Sequence, residues 1–135
     1  MTTPIHQRVV FGATPAKLYA LFMDSARHAA ATGAPARISR KIGGNWKAHS
    51  GMIRGKNLVL VPGRFIVQSW RSMSWKASDP DSILIVRFEK IPAGTLVDLV
   101  HVGVPAYDHK GVTQGWQKYY WKPWRKYLAS HHGPL

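Results

Sequence analysis

The chain contains no cysteine. This excludes a disulfide framework, thiol nucleophiles and thiolate-bound metal, and it suits a reducing compartment. Acids are scarce as well, with six Asp and Glu against nineteen Lys and Arg. Chemistry that needs paired carboxylates therefore has little to draw on. No run approaches the roughly 20 apolar residues of a membrane-spanning helix. The opening residues, MTTPIHQRVVFG, lack the basic and apolar tracts of a secretory signal, so the cytoplasm is the expected location. No glycine-rich phosphate loop or nucleophile elbow appears. His6, His28, His49 and His109 show no metal-ligand spacing, and His131-His132 resembles a metal tract but has no partners in the sequence. Neither a metal nor a cofactor is expected.

What is present suits a globular chain. Its 135 residues are 45% hydrophobic, which fits one domain over residues 1–135 with a substantial buried core. The net charge of +13 has two readings. One is a polyanionic partner such as nucleic acid or anionic lipid. The other is a solvated basic surface, and the scatter of the cations along the chain favours it.

Period and punctuation outline the elements. Residues 5–11 read as a strand ended by Gly12. Thr14-Pro15 is a helix start, a hydroxyl cap followed by proline at the first helical position, and predicts a helix over about residues 15–24. A second short helix and a Gly-Ala-Pro turn follow in residues 25–36. From 37 to 104 the pattern is strands: ARISRKI, NWKAHSGMI, GKNLVLVP, RFIVQSWRS, SILIVRFEKI and TLVDLVHVGV. Short turns between them argue for one curved antiparallel sheet. A polar linker after Pro105 is expected to lead into a terminal helix over about residues 110–131, with Asp108 near its start as a cap.

That helix is the most distinctive segment. At about 100° per residue, Trp116, Tyr120, Pro123, Trp124 and Tyr127 form one stripe, flanked by Tyr119, Trp121 and Leu128. Lys118, Lys122, Arg125 and Lys126 fall on the other side. This basic surface could dock an acidic partner or a membrane surface, or simply face water. Pro123 should kink the helix. The fold class expected is α+β, with six to seven strands in the order β-α-α-β-β-β-β-β-β-α. A curved sheet gripping a straight helix leaves a gap suited to a ligand.

Several segments carry a family resemblance. They are Phe11-Gly-Ala-Thr-Pro15, Gly43-Gly44-Asn-Trp46, Gly51-Met-Ile-Arg-Gly55, Val61-Pro62, Ile66 to Arg71, Gly94-Thr95 to Pro105, and Gly115-Trp116. Their order resembles the helix-grip fold of the START-like superfamily. The narrower likeness is to proteins related to the C-terminal domain of the activator of the heat-shock-protein-90 ATPase. The chain lacks a counterpart of the co-chaperone's additional N-terminal domain, which lowers the expectation of chaperone activation. After the first helix, where the family often carries a Trp pair, this chain has Arg27-His28-Ala-Ala-Ala.

The resemblance implies which strand faces meet the cavity. Val97, Leu99 and His101 alternate on the last strand, with Asp98 on the opposite face. Ile66, Gln68 and Trp70 share a face, as do Leu84, Val86 and Phe88. With Trp46 and the helix residues Trp116, Tyr120 and Trp124, these form the candidate ligand-binding set. Trp46 and Trp75 either rim the pocket or cap the sheet. Three functions follow as expectations. The first is binding of a hydrophobic small molecule or lipid. The second is an interaction role, as a chaperone-ATPase modulator or a polyanion binder. The third is cyclase- or hydrolase-like chemistry with His101 as acid or base. The rings could also fill the space they surround.

Overall fold

The computed structural model describes residues 2–131. Seven strands form one antiparallel sheet in the order β1-β7-β6-β5-β4-β3-β2. They are β1 (Ile5–Phe11), β2 (Arg37–Ile38), β3 (Asn45–Ala48), β4 (Ile53–Val61), β5 (Phe65–Ser72), β6 (Ser82–Ile91) and β7 (Gly94–Val102). Helices α1 (Pro15–Met23) and α2 (Ser25–Thr32) lie between β1 and β2. A long terminal helix closes the fold.

Local chemistry sets the boundaries. Thr14 Oγ1 accepts from the Lys17 N–H at 3.2 Å with Pro15 at the first turn, as the hydroxyl–proline pair requires. Asp24 ends α1 and caps α2 by accepting from the Arg27 N–H at 3.0 Å. Gly33, at φ +81°, ends α2 in the left-handed conformation that a side chain disfavours.

The pleat then sorts the core. Strand partners share a face, so Ile5, Gln7, Val9 and Phe11 lie opposite His101, Leu99, Val97 and Thr95. The same face continues through Leu84, Val86 and Phe88 to Gln68 and Ile66. Leu18, Leu21 and Phe22 of α1 are buried against this layer. Asp98 lies on the outer face, where His6 Nε2 meets its carboxylate at 2.7 Å.

Three expectations are corrected here. First, NWKAHSGMI is not one strand. It breaks at His49, Ser50 and Gly51, all with positive φ, and Ile53 begins the next strand. The Ser50-Gly51 pair is a turn former inside an otherwise alternating run. Second, no polar linker precedes the terminal helix. Its first part, α3 (Ala106–Trp116), starts directly after Pro105. Gly111 and Gly115 weaken the helical pattern there and hide the early start. Third, Asp108 does not cap the helix. It sits in the first turn, where the helix dipole favours an acid, and accepts from the Trp75 indole N–H at 2.7 Å.

Proline at 123 takes effect through a change of helical pitch. A π-helical stretch, Gln117–Trp121, joins α3 to α4 (Lys122–Ser130). The Lys122 N–H reaches back to the Gln117 carbonyl, five residues away. The wider turn places proline in the first turn of α4, where its missing N–H is least harmful. It also admits one more ring to the buried face. Trp116, Tyr120, Trp121 and Trp124 are buried, whereas Tyr119 is half exposed.

These rings pack on one another. Trp121 lies edge-on to Trp124 at 5.5 Å between centroids, and Phe11 meets Trp124 at 5.6 Å. The Trp121 indole N–H donates to Gln7 Oε1 at 2.7 Å, and Gln7 Nε2 donates to the Thr113 carbonyl at 2.9 Å. Helix and first strand are thereby tied through the half-buried Gln7 amide. Among the described residues no helix is long and apolar enough to cross a membrane.

Candidate functional site

The middle of the sheet–helix interface is solid. Ile66, Leu84, Val86, Val97, Leu99 and Trp124 are each no more than 1% exposed, and Phe88 is 5% exposed. None of these borders the cavity at one end of the interface, which is walled by Trp70, Trp116 and Tyr120. Nine of the thirteen candidate ligand-binding residues thus border no cavity in this conformation; Trp70, Trp116 and Tyr120 line the cavity at the end of the interface, and Phe88 lines a separate groove with Pro15 and Phe65.

Trp46 is buried over the sheet. Its indole N–H donates to the Ser69 carbonyl at 3.2 Å. Gly55 makes this crossing possible, because a Cβ there would stand 1.8 Å from the Ser69 oxygen and 2.8 Å from the indole nitrogen. Gln68 Nε2 donates to Asn57 Oδ1 at 2.9 Å, and Asn57 Nδ2 donates to the Ser39 and Lys41 carbonyls. This buried pair clamps the β2–β3 loop.

His101 is also structural. The Trp116 indole N–H donates to its Nδ1 at 3.2 Å, so the proton of the neutral ring sits on Nε2 and is donated to Ser82 Oγ at 2.8 Å. The Ser82 hydroxyl passes on to the Trp70 carbonyl at 2.6 Å. Both ring nitrogens are engaged in this structure, and His101 does not line the cavity. Burial, with a smaller effect from the charge of His109, holds the His101 pKa down at about 3.

The cavity itself has a volume of about 430 Å³. The β3–β4 turn supplies His49 and Met52, the start of β4 supplies Ile53, and the end of β5 supplies Trp70 and Ser72. The helix side contributes Asp108, Val112, Trp116, Tyr119 and Tyr120. Gly111 and Gly115, four apart on α3, also border it and leave room by having no side chain. The walls are mainly aromatic. His49 stands edge-on to Tyr119 at 5.6 Å and to Tyr120 at 5.3 Å.

Behind this wall lies a relay that sequence spacing did not disclose. The Tyr120 hydroxyl donates to His28 Nε2 at 3.0 Å, and His28 Nδ1 donates to the Phe22 carbonyl at 2.9 Å. Burial is the main cause that lowers the His28 pKa to about 4, against the opposing backbone hydrogen bond. Burial also lowers the His49 pKa and raises that of the Tyr120 phenol. Ninety-two residues separate His28 from Tyr120, so no local pattern could pair them. His49 left a fainter trace, the turn-forming Ser50-Gly51 beside it.

The basic surface is partly engaged. Arg125 stacks over the Phe11 ring at 4.8 Å and Lys118 over Tyr119 at 5.2 Å. Lys118, Lys122, Arg125 and Lys126 line a shallow groove with Pro123. His131 stacks on Tyr127 at 4.0 Å, while His132 lies outside the described residues. Among the described residues no group of three His, Asp or Glu side chains could hold a metal ion.

A curved antiparallel sheet with a long terminal helix against its buried face defines the helix-grip class of START-like proteins. The family model for the "Activator of Hsp90 ATPase homolog 1-like protein" matches residues 12–129, and the chain belongs to this family. It is 31% identical over 121 residues to the human activator of 90 kDa heat shock protein ATPase homolog 1. An uncharacterized Schizosaccharomyces pombe protein is 33% identical over 122 residues. Each match takes in 90% of this chain but 36% of the relative, so the chain spans about a third of their length. Among solved structures, an HSP90 activator from Plasmodium falciparum superposes with a TM-score of 0.81 at 23% identity, over 94% of this chain and 95% of that one. A Mesorhizobium loti protein gives 0.82 at 13% identity, over 97% and 100%. These superpositions show the fold.

Proposed function

We propose that the protein is a binding module that holds a small, largely apolar molecule at the open end of its sheet–helix interface. One observation carries the reading, the aromatic-walled cavity of about 430 Å³. Its size is within the roughly 300–1,000 Å³ of small-molecule sites. Trp70, Trp116, Tyr119 and Tyr120 offer flat apolar contact, and the two glycines of α3 keep the space from closing. The solid middle of the interface limits the ligand to a compact molecule rather than a long acyl chain. Native mass spectrometry after incubation with a library of compact hydrophobic molecules and with lipid extract tests this. Retention of compact molecules is expected. Retention of long-chain lipids alone, or of nothing, overturns the reading.

A second reading is modulation of a chaperone ATPase, favoured by the family match and by the human relative's name. Met52, Met73 and Tyr119 are half exposed near the cavity mouth and offer apolar contact to a protein surface. A pull-down with purified heat shock protein 90, followed by its ATPase rate, separates this role from ligand binding.

A further inference from the structure

The charges of this protein are unevenly placed around the cavity. None of the nineteen Lys and Arg residues lines it. Lys118 stacks over the Tyr119 ring at 5.2 Å but does not border the space. His49 does line it, and burial holds its pKa below the ordinary imidazole value, so the ring is neutral at pH 7. Asp108 is left as the one charged side chain in the wall.

Asp108 also stands apart from the other acids. Asp24, Asp81, Glu89 and Asp98 each meet an arginine. Asp79 accepts from the Tyr107 hydroxyl and lies in the field of Lys76 and Arg71. Among the described residues Asp108 has no Lys, Arg or His at ion-pair distance, although the chain carries a net charge of +13. Its Oδ2 accepts from the Trp75 indole, and its Oδ1 has no protein partner. The sealed polar atoms without a partner among the described residues are His49 Nε2, Arg54 Nε, Gln68 Oε1, Trp70 Nε1 and Trp124 Nε1. Asp108 Oδ1 is not one of them, so this oxygen keeps accessible surface. It lies beside Gly111, where a Cβ would stand 2.8 Å from it, and Gly111 borders the cavity.

We infer that the cavity selects an organic ammonium ion, a compact apolar body bearing a protonated amine, with Asp108 Oδ1 as the acceptor for its N–H. A carboxylate repels an anionic guest and forms a charge-assisted hydrogen bond with an ammonium group. Aromatic rings attract cations as well, and Trp70, Trp116, Tyr119 and Tyr120 line the same space. Met52 and Tyr119, both half exposed, offer contact to the apolar body. This inference rests on the proposed binding role and assigns it a ligand class.

The test compares 2-naphthylmethylamine, a cation at pH 7, with 2-naphthylmethanol and 2-naphthoate by titration calorimetry at low salt. The amine is expected to bind about tenfold more tightly than the alcohol, the gain from a hydrogen bond to a charged group, and the carboxylate more weakly than either. Non-specific attraction to a chain of net charge +13 favours the carboxylate, so this order isolates the local site. In NMR spectra the amine should shift the Trp75 indole N–H, which is bonded to the other Asp108 oxygen. Asp108→Asn, whose amide oxygen still accepts from Trp75, should bring the ratio of amine to alcohol affinity near unity. Equal binding of amine and alcohol, tightest binding of the carboxylate, or an amine preference that survives Asp108→Asn overturns the inference and leaves the binding role intact. If none of the three binds, the binding role fails and the inference with it. The order is read first on the unaltered protein, so the outcome does not depend on the variant folding.

Discussion

Mild acid should loosen this protein through two histidines. His28 and His101 are 2% and 1% exposed, and each accepts a hydrogen bond on an unprotonated ring nitrogen. Their pKa values stand at about 4 and about 3 against 6.5 for a free imidazole. The folded state therefore binds fewer protons than the unfolded chain below pH 6.5. Stability is fully present above that pH and declines as the pH falls toward the folded values. Between pH 7 and pH 5 each group forfeits about 2 kcal/mol, so the pair forfeits about 4 kcal/mol. Carboxylates with ordinary values near 4 contribute little in that window. Urea unfolding followed by tryptophan fluorescence measures the effect. With a slope of about 2 kcal/mol per molar, the midpoint should fall by roughly 2 M from pH 7 to pH 5. His28→Gln should remove about half of that pH dependence while lowering stability at pH 7. A midpoint unchanged between pH 7 and pH 5 would refute the reasoning, as would a His28→Gln variant with the full acid dependence.

Two further outcomes follow from other features. Gly55→Ala should destabilise by about 2 kcal/mol or more, because its methyl group would collide with the Ser69 carbonyl under the Trp46 indole; thermal melting measures this, and an unaltered melting temperature contradicts the crossing. Replacing Lys118, Lys122, Arg125 and Lys126 with Gln should flatten the steep salt dependence of heparin binding expected at net charge +13, and an unchanged salt slope places the polyanion contact elsewhere.

The fold was largely legible because its signals are periodic or local. Alternation in β5, β6 and β7 sorted their residues into two faces, and the family resemblance pointed to the face of Gln68 and His101 as the inner one, which is buried. The Thr14-Pro15 pair set the start of α1 within one residue. What escaped is non-local. A uniform helical step assigns Trp121 to the flank, and only the π-helical turn brings it into the core. The strand pattern put His101 on the correct face but could not tell a cavity wall from a core polar group, because Trp116 and Ser82 satisfy it from distant elements. The cavity was displaced for the same reason. Ring volume fills the centre of the interface, and the open space falls where two glycines and a left-handed turn coincide.

The register between the first and last strands has a consequence for how the chain acquires its shape. β1 pairs along its whole length with β7, from Ile5 opposite His101 to Phe11 opposite Thr95. During synthesis the first strand must therefore wait for some ninety residues before its partner exists, with an apolar face and an open edge throughout. The hairpins from β4 to β7 can zip in order as they emerge, since each pairs with its neighbour in sequence. Closure of β1 onto β7 is then the late, entropically costly event. Gln7, through Trp121 and Thr113, fastens it only once the terminal helix has arrived.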